Sequence, residues 1–277
     1  MSSICHYITS LLHNNRLRTI IVGAAVVVAV TLTAYATGDK TTIYFYSSET
    51  SINNFKSLKM EFDQYLSRFG PYELQPFSDR ESFDEYIRDK EQCILLLSSW
   101  HYAKIHKDNA LIAALAGTRN GEKYQKRILV AKNESVKTGR IASASSIQHT
   151  NSYLKKMLKG KYTVDTTQIL TVPKDIDALM SVGFGMSVLA LTTRNALDEL
   201  QIVNPTLCQK MKVLGEGDES LLLIVAVPER FIKDAQGIIA AIKNMPTDPE
   251  GRENLRMLGL DGWLPLDPSD KLKLEAQ

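Results

Sequence analysis

The stretch MPTDPEGRENLRMLGLDGWLPLD, Met245–Asp267, decides how this chain is read. It holds three of the chain's nine prolines and one of its two tryptophans. A short charged helix sits here between two turn signals, and an apolar tail follows it. The preceding strand-and-helix pattern does not require such an ending.

Upstream, LLLIVAV (Leu221–Val227) is the most apolar strand of the chain, and Pro228 opens a helix reaching Asn244. NPTLCQKM begins another helix, with Asn204 as N-cap and Pro205 at the first helical position. The same grammar runs through the whole body. TIYFY, YELQPF, CILLL, KRILVAK, GRIASA, QILTV and MSVLAL read as strands. Between them lie amphipathic helices, one with Phe55, Leu58, Phe62, Tyr65 and Leu66 at helical spacing and ended by Gly70-Pro71. SDRE, Ser78–Glu81, is a capping-box signature that starts a helix through Arg88. Repeated βα units predict parallel sheets with helices on both faces.

The 277 residues are 44% hydrophobic and 23% charged with a formal net charge of +2, an ordinary globular composition. No basic stripe interleaved with aromatics is present, so no nucleic-acid partner is expected. The first residues differ from the rest. Met1–Arg18 contains no acid, and Thr19–Tyr35 (TIIVGAAVVVAVTLTAY) is uncharged and mostly apolar. As a helix that run would extend roughly 26 Å, marginally enough for a bilayer core. It reads either as a secretory signal cleaved after Ala36 or as an uncleaved inner-membrane anchor. Both place the body outside the cytoplasm, in the periplasm. Without Met1–Gly38 the body carries 31 Lys+Arg (33 less Arg16 and Arg18) against 31 Asp+Glu. Its cysteines are Cys93 and Cys208. They can form one disulfide in an oxidising compartment, but buried free thiols are the preferred reading.

Several strands run into hydroxyl-rich turns that enter helices. Open parallel α/β sheets bind ligands beyond the carboxyl ends of their strands, where helix amides suit an anion. These turns supply the candidate ligand-binding residues Ser47, Ser48, Thr50, Ser98, Ser143, Ser145 and Ser146, with Thr192 and Thr193 in a further turn. Serine and threonine are also common helix caps, so each turn has a purely structural reading too. Trp100 and Tyr102 follow a buried strand and are candidates to line a cleft or to pack on a neighbouring helix. His149 is either a donor to an anion near Ser145 and Ser146 or a surface histidine. HExxH, paired CxxC, P-loop and GxSxG patterns are absent. No catalytic residue, metal ligand or cofactor is therefore expected, and the chain is read as a non-enzyme.

The C-terminal third, DIDALMSVGFGMSVLALTTRNALDELQIVNPTLCQKMKVL, then LLLIVAVPERF and the opening stretch, resembles the phosphonate/phosphate-type substrate-binding proteins of ABC transporters. Those chains end in D-P-E-G-R…L-x-x-L-G-x-D-G-[apolar]-x-P-x-D. Here Asp248-Pro249-Glu250-Gly251-Arg252, Leu255, Leu258-Gly259, Asp261-Gly262-Trp263 and Pro265 follow in that order. The resemblance implies an α/β, two-lobed periplasmic-binding-protein-like (type 2) fold, each lobe a mostly parallel sheet flanked by helices. It implies lobe one at 39–126 plus 221–267, lobe two at 127–220, and a flexible tail at 268–277. It also implies capture of a small oxyanion or similar polar solute by a monomer serving an ABC permease. The alternative is an anchored sensory or accessory module of the same fold. Two positions depart from the family. Ser143-Ala144-Ser145-Ser146 stands where a Ser-Thr-Ser-Gly loop is usual, and Met186 stands where a carboxylate is usual.

Overall fold

The computed structural model describes residues 40–275 except 51, 53, 136–137 and 160–167. Thr19–Tyr35, with its signal or anchor reading, lies outside the described residues. Among the described residues no helix is long and apolar enough to cross a membrane.

Residues from Thr41 onward are one compact unit built on two sheets. In the six-stranded first sheet, β1 (Thr41–Tyr46) lies between β2 (Tyr72–Pro76) and β3 (Cys93–Ser98), parallel to both. β10 (Leu223–Pro228) pairs antiparallel with β3, β4 (Leu111–Thr118) with β10, and β11 (Gly262–Pro265) closes the edge on β4. In the five-stranded second sheet, β6 (Ile141–Ser143) lies parallel between β7 (Ile169–Thr171) and β8 (Leu189–Thr193). β5 (Tyr124–Ala131) runs antiparallel to β8 and to β9 (Lys212–Leu221). The chain passes between the sheets at Thr118–Tyr124 and Leu221–Leu223.

Strand alternation puts successive side chains on opposite faces, so each sheet organises two apolar layers. Ile43 and Phe45 pack with Leu58 and Phe62 of α1 (Phe55–Leu66). Tyr44 and Tyr46 pack with Phe83 of α2 (Arg80–Ile87) and Tyr102 of α3 (Ser99–Ile105). In the second sheet, Ile128 and Val130 face α5 (Asp175–Gly183) and α6 (Arg194–Val203). Leu129 and Ala131 face Leu154 of α4 (Ile147–Leu158).

The opening stretch ends the first sheet. Asp248 caps α9 (Pro249–Met257), its Oδ1 accepting from the amides of Glu250 and Gly251 at 3.0 and 3.2 Å. Trp263 is buried in the core while Leu264 is exposed.

Four details differ from the sequence reading. LLLIVAV is two strands, β9 ending at Leu221 and β10 starting at Leu223, because the chain changes sheets there. Pro228 opens only a 3₁₀ turn, Glu229–Phe231, and the helix, α8, is Gln236–Lys243. The cap of α2 is Asp79 rather than Ser78, since its Oδ1 accepts from Ser82 N at 2.8 Å. The expected flexible tail is instead a helix, α10 (Pro268–Glu275), capped by Asp267 and tied down by Asp270 and Leu274, both buried. The N-cap and leading proline expected at Asn204-Pro205 are present at α7 (Pro205–Cys208).

Candidate functional site

The carboxyl ends of the parallel strands in both sheets meet. After β1 come Ser47–Thr50, and β3 ends at Ser98 and leads into Trp100. After β6 come Ala144–Ser146, and after β7 come Pro173–Asp175. Several contacts join the two sides. The Asp175 amide donates to Ser48 O at 2.8 Å, Lys174 Nζ to Ser47 O at 2.5 Å, and Tyr46 OH to Pro173 O at 3.1 Å. Trp100 lies over His149 with ring centroids 5.4 Å apart. A cavity of about 220 Å³ opens beside this junction, lined from one side by Tyr46, Asp79 and Arg80 and from the other by Ala144, Thr171 and Pro173.

Most of the candidate hydroxyls already have internal partners. Ser47 Oγ accepts from the Glu49 amide at 3.1 Å and from Thr50 Oγ1 at 3.3 Å, and lies 3.3 Å from Ser98 Oγ. Ser48 Oγ accepts from Trp100 Nε1 at 3.3 Å. Ser143 Oγ braces its own turn, accepting from the Ser145 amide at 3.2 Å and Thr150 Oγ1 at 2.9 Å. Ser146 is the N-cap of α4, accepting from the His149 amide at 3.3 Å. Two groups remain: Ser145 Oγ and His149 Nε2 are buried and have no hydrogen-bond partner among the described residues. Burial, and then the charge of Arg127, push His149 down to about 3, so its imidazole is neutral at pH 7.

Tyr102 is not part of this junction. Its hydroxyl donates to Leu111 O at 3.1 Å and accepts from the Ala113 amide at 3.2 Å, which fixes β4 to α3. Met186 is exposed on the α5–β8 turn, its amide donating to Ser181 O at 2.9 Å.

Sequence reasoning missed the charged centre of the junction. Arg127, Glu49 and Asp175 are 2%, 7% and 1% exposed. Arg127 Nη1 lies 3.3 Å from Asp175 Oδ1, and Nη2 lies 3.4 Å from Glu49 Oε1. Gln125 Nε2 donates to Glu49 Oε2 at 2.6 Å. Burial raises Asp175 to about 7, opposed by Arg127 and reinforced by Glu49. Burial also raises Glu49, again opposed by Arg127. Lys174 is lowered to about 8 by burial, against the pull of Asp177 and Asp175. The one sequence signal was an arginine inside the otherwise apolar run RILVA, and charged strand residues usually point to solvent.

Cys93 and Cys208 are free thiols. Cys93 sits at the start of β3, away from the strand's carboxyl end, and burial pushes it up to about 12. Among the described residues no group of three His, Cys, Asp or Glu is placed to hold a metal ion.

No family model matches the chain, and no curated protein matches it in sequence. Solved structures do. A binding protein component of an ABC phosphonate transporter from Pseudomonas aeruginosa superposes with TM-score 0.67 at 12% identity, covering 84% of each chain. A Prochlorococcus marinus protein in complex with methylphosphonate gives 0.65 at 10% identity, covering 85% of this chain and 96% of that one. A periplasmic His/Glu/Gln/Arg/opine family-binding protein from Silicibacter pomeroyi, in complex with lysine, gives 0.53 at 12% identity, covering 80% and 99%. The fold is that of the periplasmic binding proteins. In this binding-protein fold the junction of the two sheets holds Ser145, His149 and the Arg127 centre, with Ser48 and Trp100 facing them. Identities this low establish the fold and leave the solute to be argued from the residues.

Proposed function

We propose that the chain is an exported, periplasmic solute-binding protein that captures a small oxyanion-bearing solute between its two sheets and serves an ABC permease. The observation carrying this reading is the pair of buried atoms Ser145 Oγ and His149 Nε2, without a partner among the described residues, at the N-terminal end of α4. A buried polar atom without a partner costs roughly 1–3 kcal/mol, so such a pair marks where an outside group belongs. Both can donate, and both belong to the N-terminal end of α4, the positive end of its dipole. Ser48 and Trp100 close over the solute from the first sheet.

In this reading lobe one (39–126 plus 221–267) carries the first sheet, and lobe two (127–220) carries the second apart from the ends of β5 and β9 at Tyr124 and Leu221. They close about the two chain crossings, as hinged binding proteins do. No catalytic step is assigned: Cys93 lies at the start of β3, away from the strand's carboxyl end, and burial holds its thiol protonated at pH 7.

The test is a thermal-shift series on the body from Thr41 onward with phosphate, phosphite, methylphosphonate and sulfate. At least one is expected to raise Tm, and Ser145→Ala or His149→Ala to weaken it about tenfold, the loss of one hydrogen bond to a charged group. A flat response to every oxyanion would remove the basis of the assignment.

A further inference from the structure

The end of the second sheet away from the junction carries an exposed apolar face that solute capture does not use. α5 starts at the junction, where the Asp175 amide meets Ser48 O, and its nine residues carry the chain roughly 13 Å away to Gly183. In the turn that follows, Phe184, Met186 and Val188 are 73%, 54% and 42% exposed. This turn is not frayed. The Phe184 and Gly185 amides donate to Met180 O and Val182 O at 2.9 and 3.3 Å, and Lys132 Nζ donates to Gly183 O at 2.7 Å. Leu207 of α7 extends the face, since a Cβ on Gly183 would stand 2.6 Å from Leu207 Cδ2. Val203, 70% exposed, lies just before the Asn204 cap of that helix. Single exposed apolar side chains are ordinary, whereas a contiguous set on a fixed turn marks a contact surface.

The rim of this face is basic. Arg140 O accepts from the Val188 amide at 3.0 Å, and the Lys210 amide donates to Leu207 O at 3.0 Å. Lys212 pairs across the sheet with Ala131, next to Lys132. Segments 131–134, 138–140, 183–188 and 202–213 carry these four cations against Glu134 alone, in a body with equal numbers of basic and acidic residues. We propose that this face docks on an anionic lipid surface, with Phe184 and Met186 entering the headgroup–acyl boundary and Arg140, Lys210 and Lys212 meeting lipid phosphates. Apolar burial and attraction to anionic lipid add in such a contact, each Lys or Arg near the surface strengthening it about fivefold. A second copy of the chain fits worse, because a symmetric contact would set the four cations against their own images. The proposal goes beyond solute capture and does not rest on it.

Co-sedimentation with vesicles tests this on the body from Thr41 onward, a compact unit on its own. Leaving out Thr19–Tyr35 keeps that apolar run from carrying the protein onto the membrane. Vesicles of equal parts phosphatidylglycerol and phosphatidylcholine are expected to bind the body about tenfold more tightly, or better, than pure phosphatidylcholine. Salt at about 1 M, where the screening length falls to about 3 Å, is expected to abolish the difference. Phe184→Ser with Met186→Ser, and separately Arg140→Gln with Lys212→Gln, are each expected to weaken binding about tenfold or more. Met60→Ser, the same kind of change at a 58% exposed side chain of α1, is expected to leave binding unchanged. Equal binding to both vesicle types, no vesicle binding, or a loss in Met60→Ser as large as in the Phe184 and Met186 variant would overturn the proposal. So would a concentration-dependent dimer that Phe184→Ser dissolves without any vesicle binding, which would make this a face between copies. The melting-temperature response to oxyanions is expected to be the same in all these variants, so solute capture and lipid docking stand or fall separately.

Discussion

Arg127 Nη1 stands 3.3 Å from Asp175 Oδ1 with both side chains sealed from solvent, on strands and turns that meet only because two sheets converge. Removing the cation leaves Glu49 and Asp175 buried without compensation. Arg127→Leu is expected to lose about 3–5 kcal/mol at pH 8, read as the shift of a urea midpoint. At pH 5 the loss is expected to be smaller, because the bare carboxylates take up protons. Replacing Arg127, Glu49 and Asp175 together by Met, Gln and Asn is expected to restore most of the stability. A single-site loss equal at both pH values would show that the carboxylates are solvated.

Two groups at the site give stability opposite pH slopes. Asp175 has a native value of about 7 against 3.8 in an unfolded chain. The native state therefore keeps a proton the unfolded chain has lost, and the contribution, full below about pH 4, is lost as pH rises to about 7. His149, at about 3 against 6.5, works the other way. Its contribution is full above about pH 6.5 and lost as pH falls toward 3. Asp175→Asn is thus expected to make stability climb more steeply between pH 4.5 and 6.5, and His149→Asn to flatten the climb. Urea titrations at three pH values separate them; unchanged slopes in either variant would mean that group titrates as if exposed.

The sequence carried the fold further than the site. Asp248-Pro249, Gly251 and Trp263 were legible because capping, φ restriction and burial tie each residue type to a local task. The strand LIAALAGT was missed because alanine and glycine give little β signal, although between β10 and β11 that strand is held by pairing on both sides. Antiparallel pairing of β10 and β5 was invisible for a related reason: a strand's direction depends on which sheet the chain returns to, and no local residue records it. Among the hydroxyl turns, sequence could not separate Ser145, whose hydroxyl has no partner among the described residues, from Ser47, Ser143 and Ser146, which brace their own turns. Arg127, Glu49 and Asp175 were passed over because isolated charges are ordinarily solvated; only the convergence of distant segments makes them a buried set.

The C-terminal helix α10 fastens one of the chain crossings. Lys123 Nζ lies 2.9 Å from Asp267 and 2.5 Å from Asp270, and Asp270, 0% exposed, also accepts from Tyr124 OH. Lys273 Nζ lies 3.3 Å from Glu219 of β9, near the second crossing. Asp270→Ala strips a buried partner from Lys123, itself only 17% exposed, and is expected to cost about 3 kcal/mol. Hydrogen exchange should then speed up at residues 118–124 and 267–275. Faster exchange confined to the helix would show that α10 packs on the crossing without holding it.

Gly251 supplies the last prediction. It lies at the third helical position of α9, where alanine is intrinsically preferred to glycine by about 1 kcal/mol. A Cβ there would stand 2.4 Å from Met245 O and 2.8 Å from Met245 Cα, both backbone atoms. Those atoms cannot rotate aside, and Met245 is fully buried in the first-sheet core with Leu255 and Trp263. Steric overlap therefore outweighs helix propensity, and Gly251→Ala is expected to destabilise the protein by about 3 kcal/mol. Glu253→Ala on the same helix, exposed and paired with the equally exposed Arg256, is expected to change stability by less than about 0.5 kcal/mol. Equal melting temperatures for Gly251→Ala and Glu253→Ala would mean that the 3₁₀ turn Met245–Thr247 yields without cost, and that the glycine in Asp-Pro-Glu-Gly-Arg answers to something other than this contact.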